Sequence, residues 1–92
     1  MFAALMKLTI DPAQAPRVAT AFTNVLLPQV RAAPGFVAGY WLEPAQGQGF
    51  GFVVFETAEQ AAAAMPPSAS WATPGVVIEG VEVRRVAVAA IA

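Results

Sequence analysis

The stretch FVAGYWLEPAQGQGFGFVVFE, residues 36–56, decides the fold. It reads as two strands joined by a hairpin. Phe36–Glu43 supplies the first strand, Pro44-Ala45-Gln46-Gly47-Gln48 the loop, and residues 49–56 the second strand. Both strands carry apolar or aromatic residues on both alternating faces. In the first, Phe36, Ala38, Tyr40 and Leu42 share one parity, and Val37, Gly39, Trp41 and Glu43 the other. In the second, Phe50, Phe52 and Val54 oppose Val53 and Phe55. A strand that is polar on neither face needs cover on both.

Outward from the hairpin the pattern is regular. Residues 2–10 alternate, with Phe2, Ala4, Met6, Leu8 and Ile10 on one face and Ala3, Leu5, Lys7 and Thr9 on the other. That is a strand with one fully apolar and one mixed face. Asp11-Pro12-Ala13-Gln14 is a helix start, with Asp11 as cap and Pro12 at the first helical position. Val18, Phe22, Val25, Leu26 and Val30 then fall on one helical face. Pro28 lies inside this pattern and should kink the last turns, and Ala33-Pro34-Gly35 ends the helix. Thr57-Ala58-Glu59-Gln60 is a second capping box, opening an Ala-rich helix that ends near Met65 before Pro66-Pro67. A last strand is expected from about Val76 to Ala90, with a bulge near Arg84-Arg85 where the apolar phase changes.

The order is therefore β-α-β-β-α-β in a single domain spanning 1–92. The simplest assembly is a ferredoxin-like α+β fold, a four-stranded sheet with two helices on one face. Strands joined through the first helix should run parallel. Two helices cover one side of the sheet only. The other side is left apolar, and a second copy packed face to face would bury it about one two-fold axis.

Composition points the same way. Hydrophobic residues make up 58% of the 92 and charged residues 12%. A compact monomer of 9.5 kDa should expose roughly 5,000 Å². One small core does not use so much apolar side chain. No 18-residue apolar run escapes charge or Pro, and no basic stretch precedes the apolar N-terminus, so neither a membrane span nor a signal peptide is expected. The expected location is cytoplasmic. The net charge is −1, and Lys7, Arg17, Arg31, Arg84 and Arg85 form no stripe of the kind a nucleic acid requires.

The chain contains no Cys and no His. Thiolate nucleophiles, Cys/His zinc sites, disulfides, Ser-His-Asp triads and His-ligated haem are all excluded. No three acidic residues are spaced for a hard metal, and Gly47–Gly51 has no lysine and the wrong spacing for a phosphate loop. No metal or cofactor is expected.

Leu27-Pro28, the run Pro34-Gly35-Phe36-Val37-Ala38-Gly39-Tyr40-Trp41, the run Gly51-Phe52-Val53-Val54-Phe55-Glu56 and the Ala-rich helix after it resemble the dimeric α/β-barrel superfamily, the antibiotic-biosynthesis-monooxygenase-like group. The likeness spans essentially the whole chain. It implies a pocket between sheet and helices, and either cofactor-free oxygenation of phenolic rings or haem degradation. The haem-degrading members use an Asn on the first strand, a Trp and a His on iron. Here the only Asn is Asn24, on the helix, and His is absent, which argues against haem degradation.

Two functions follow as expectations. One is a cofactor-free monooxygenase-like enzyme acting on a small aromatic or quinol compound. The other is a non-catalytic homodimeric module that binds a small apolar ligand or a protein partner. Cofactor-free oxygenation needs an aromatic pocket, a group that takes a proton and a donor that stabilises the resulting anion. Asn24 is the candidate amide donor, Tyr40 the candidate phenol, and Trp71, in the loop after the second helix, the candidate ring wall. Lys7, Arg84 and Arg85 are further cations, with Glu79 and Glu82 as nearby ion-pair partners. Each has a plainer role open to it. Asn24 suits an exposed helix position, Tyr40 and Trp41 suit sheet packing, and the Arg and Glu side chains suit surface pairs. Gly39, Gly49 and Gly51 mark either a bulge or room for a ligand.

Overall fold

The computed structural model describes residues 1–64 and 75–91. The strands are β1 (Phe2–Ile10), β2 (Phe36–Trp41), β3 (Gln48–Phe55) and β4 (Val76–Arg85). They form one sheet in the order β2-β3-β1-β4, every neighbouring pair antiparallel. β1 and β2 run in the same direction, as the helical crossover requires, but β3 lies between them. This is the ferredoxin-like α+β arrangement expected from the sequence.

The helical segment over 12–32 is one rod in four pieces. A 3-10 turn (Pro12–Gln14) leads into α1 (Ala15–Ala21), a π-helical turn (Phe22–Leu26) and α2 (Leu27–Ala32). The Asp11 carboxylate accepts from the Ala13 N–H at 3.0 Å and caps the start. Pro28 explains the wide turn. It has no N–H to donate to the carbonyl four residues back, and its ring crowds that carbonyl. The Leu27 N–H instead reaches Phe22 O, five residues back. The consequence reaches the packing. Val18, Phe22, Leu26 and Val30, each four residues apart, are all half-buried. In a regular α-helix a spacing of four drifts by about 40° per step, and the wide turn takes up that drift. Val25, expected on the packed face, is turned out and 56% exposed.

The last helix, α3 (Ala58–Ala64), is opened by the expected capping box. Thr57 Oγ1 accepts from the Gln60 N–H at 3.1 Å, and Gln60 Oε1 accepts from the Thr57 N–H at 3.2 Å. The hairpin between β2 and β3 closes through a pair of backbone bonds between Ala45 and Gln48. Its central residues Gln46 and Gly47 both have positive φ, 54° and 77°. That is the type I′ geometry matched to strand twist. Gly47 O also accepts from the Ile10 N–H at 2.7 Å, tying the turn to the end of β1.

The buried core lies between helices and sheet: Ala4, Met6, Leu8, Ile10, Val53, Phe55 and Ala61. β1 alternates as read from its sequence. Two strands depart from simple alternation. At Val37 the pairing of β2 with β3 slips, so Phe36 packs edge-on against Phe55 on the core side while Tyr40 points to the other face. In β4 the slip comes at Glu79, between Ile78 opposite Leu8 and Gly80 opposite Lys7. The bulge expected at Arg84-Arg85 therefore lies five residues earlier, and the strand ends at Arg85 rather than Ala90. Glu79 is held at its bulge by the Thr9 hydroxyl, which donates to its carboxylate at 2.6 Å.

The face away from the helices is open and apolar. Leu5, Tyr40, Leu42, Phe50, Phe52 and Val77 are all exposed there, with Tyr40 and Val77 at 58% and 59%. Lys7, the Glu82–Arg84 pair (2.6 Å) and Glu79, bonded to Thr9, are charged groups on it. Among the described residues no helix is long and apolar enough to cross a membrane.

Gly51 is buried and pairs with Trp41 across β3 and β2. A side chain placed there would begin 2.7 Å from Trp41 Cδ1. Gly51→Val should displace the indole and lower the unfolding free energy by about 2 kcal/mol, as overpacking does. Urea denaturation read by circular dichroism checks this, and an unchanged midpoint would contradict the packing described.

Candidate functional site

The ring of Trp41 lies along the core side of the sheet. Its position depends on two glycines. The benzene end of the indole passes over Gly39, where a Cβ would sit 2.5 Å from Cη2, and the pyrrole end passes over Gly51. Phe22, from the π-helical turn, meets the indole edge-on with ring centroids 4.9 Å apart and planes at 64°. The contact props the helical rod against the sheet at that point. Beside it the facing residues are small, and the layers do not close.

The result is a partly open cavity of about 560 Å³ between rod and sheet. Leu8, Ile10, Gly49 and Val76 form its sheet side, Ala15, Val18, Ala19 and Ala21 its helical side, and Phe22 and Trp41 its aromatic wall. The volume lies within the range of small-molecule sites, roughly 300–1,000 Å³. Its polar side chains are few. Among the described residues Thr23 supplies a hydroxyl, and Glu43, just past the end of β2, a carboxylate. Such a site takes up a flat apolar molecule through burial and aromatic contact and orients it with one or two hydrogen bonds. The described residues hold no cluster of acidic side chains suited to a metal ion.

The residues singled out from sequence are distributed differently. Asn24 is exposed on the rod and lines a shallow groove with Pro16, Arg17, Thr20, Ala21 and Val25. Tyr40 stands on the open sheet face, its ring 5.4 Å from that of Phe52. The sheet separates it from the cavity, so Asn24 and Tyr40 are not brought together. Trp71 lies outside the described residues. Lys7 sits on the open face, and Arg84 is engaged by Glu82. The cavity is built instead from Trp41, Phe22, Thr23 and Glu43. Trp41 and Phe22 had the sequence signature of ordinary packing. The signal that marks them is the pair Gly39 and Gly51, which face one indole from adjacent strands and leave it room to lie flat. Glu43 carries no such signal, because its place at the cavity mouth comes from the hairpin geometry.

No family model matches the chain, and no curated protein matches it. Solved structures do match along nearly the full length. HapK from Hahella chejuensis is 14% identical, with 100% of this chain and 99% of that chain covered at a TM-score of 0.75. The heme-degrader MhuD from Mycobacterium tuberculosis, solved with two hemes bound in its active site, is 20% identical, with 98% and 99% covered at 0.65. The NE2512 protein of unknown function from Nitrosomonas europaea is 21% identical, with 99% and 93% covered at 0.65. At these identities the likeness is one of fold. The chain shares with these structures the ferredoxin-like α+β fold.

Proposed function

We propose that the chain binds a small flat aromatic or quinol compound in the cavity between rod and sheet and oxidises it as a cofactor-free monooxygenase-like enzyme. The observation that carries this reading is the 560 Å³ cavity walled by Trp41 and Phe22. A cavity lined by apolar side chains, with two polar ones at its margin, selects an apolar ring with a polar edge.

The chemistry needs a substrate with an acidic C–H or O–H on an electron-rich ring system. An anthrone serves as the type. Glu43, the one ionisable side chain among the described lining residues, accepts the proton. Thr23 donates a hydrogen bond to the oxygen on which negative charge develops. The substrate anion then reduces dioxygen. One oxygen atom ends in the new ring carbonyl, the other leaves as water with the two hydrogens of the original CH2, and no external reductant is consumed.

Haem does not fit this donor set. Haem iron takes His, Cys, Met or Tyr as protein ligand. None of these is among the described lining residues, and the chain has neither His nor Cys. No cation lines the described cavity to pair with the haem carboxylates.

The open sheet face is, in the same reading, taken by a second copy of the chain. The exposed surface is 6179 Å², against roughly 5,000 Å² for a compact monomer of this mass. On the sheet face itself Leu5, Tyr40, Leu42, Phe50, Phe52 and Val77 are exposed together, and a contiguous apolar patch of that kind marks an interaction surface. Tyr40 and Phe52 lie on that face and become contact residues. With a net charge of −1, little repulsion opposes association.

A second function is favoured by one observation, the scarcity of polar groups on the lining. A site with a single carboxylate and a single hydroxyl serves equally for binding without turnover. Oxygen uptake with an anthrone, run beside calorimetric titration of the same compound, separates the two. Binding with uptake that falls at least tenfold in Glu43→Gln is the expected result. Binding without uptake leaves the binding module alone. No binding by a folded sample removes the cavity as a site. For the assembly, sedimentation at low micromolar concentration should give a species of twice 9.5 kDa, and Phe52→Arg should shift it towards the monomer. A wild-type monomer would overturn the face-to-face pairing.

A further inference from the structure

The charge around the cavity is one-sided. Glu43 is the only ionisable side chain on its described lining. Residues 65–74, Met-Pro-Pro-Ser-Ala-Ser-Trp-Ala-Thr-Pro, contain no Asp, Glu, Lys, Arg or His. That segment therefore adds no side-chain charge, whatever its place. The chain's five cations are all accounted for elsewhere. Arg17 lines the shallow groove with Thr20 and Asn24. Arg31 lies in the last turn of α2. Lys7 is on the open sheet face opposite Gly80. Arg84 is paired with Glu82, and Arg85 sits opposite Phe2 at the far end of β1 from Ile10. Among the described residues Glu43 has no ion-pair partner.

We infer from this that the cavity discriminates by charge: its ligand is an uncharged aromatic molecule with a hydrogen-bond donor at one edge, and aromatic acids are turned away. The inference rests on the cavity being the binding site, as proposed above, and adds the class of ligand. No cation lines the described cavity, and the Thr23 hydroxyl alone offsets little of the desolvation of a carboxylate, which is costly when unpaired. Glu43 adds direct repulsion. A phenol or ring N–H presents a donor that the carboxylate accepts, and such charge-assisted bonds are the stronger kind. Glu43 is exposed, so solvent and salt screen its effect. At contact distance in water two unit charges still interact enough for about a fivefold difference in affinity.

The test compares two ligands of one ring size, 2-naphthol and 2-naphthoate, by isothermal titration calorimetry at neutral pH and low ionic strength. In the wild-type protein 2-naphthol should bind at least about fivefold more tightly. The preference should shrink in Glu43→Gln and turn towards 2-naphthoate in Glu43→Lys, with folding of each variant verified by circular dichroism. Equal or tighter binding of 2-naphthoate by the wild type overturns the inference while leaving the cavity a binding site. So does a preference that is the same in Glu43→Gln and Glu43→Lys as in the wild type. If neither ligand binds, the cavity reading falls and this inference with it.

Discussion

The edge-to-face contact of Phe22 with Trp41 sets the spacing between the two layers of the molecule. A helix packed on a sheet through small residues alone would settle close and fill the gap. Here one large ring lies along the sheet and another stands against it. The small residues Ala15, Ala19, Ala21 and Gly49 around them then leave space rather than closing it. Both partners depend on local backbone features. Trp41 lies flat because Gly39 and Gly51 have no side chains beneath it. Phe22 lies where it does because the wide turn at its position, forced by Pro28, keeps it in line with Val18, Leu26 and Val30. The cavity is thus a product of five residues, Phe22, Pro28, Gly39, Trp41 and Gly51, none of which is charged.

Most of the fold was legible because it rests on short-range patterns. The alternation of Phe2–Ile10, the Asp11-Pro12 start and the Thr57/Gln60 box each act within a few residues, and each appears in the structure at its expected place. The failures concern register. A one-residue slip moves every following side chain to the other face. The slips at Val37 and Glu79 are set by how strands pair, which no single strand's sequence reveals. The apolar phase change in β4 did signal a bulge, but the adjacent arginines suggested the wrong site. The helix failed at Val25 for a related reason. A period of 3.6 places Val25 inward, and the Pro28 turn changes the local period.

The cavity was less legible than the fold. Searching for chemistry by residue type selects the rare polar groups, and in this chain that means Asn24, Tyr40 and the arginines. The walls of an apolar cavity look like core in a sequence, since they are core residues with a gap between them. What distinguishes them is missing volume, written as Gly39, Gly49, Gly51 and the alanines of the rod. Glu43 became significant only when the type I′ turn at Gln46-Gly47 fixed where β2 ends and the loop begins.

The two register slips lie in the two outer strands, β2 and β4. An outer strand presents free backbone donors and acceptors, and a straight one invites another chain to extend the sheet without limit. β2 is only six residues long and is broken at Val37, with Pro44 following soon after. β4 is broken at Glu79 and carries Glu79, Glu82, Arg84 and Arg85. Neither margin offers a long, even ladder. A molecule this rich in exposed apolar surface would otherwise risk growing into fibres. With both margins interrupted, the sheet gives little purchase for growth edge to edge, and the face-to-face pairing proposed above would close on itself after two copies.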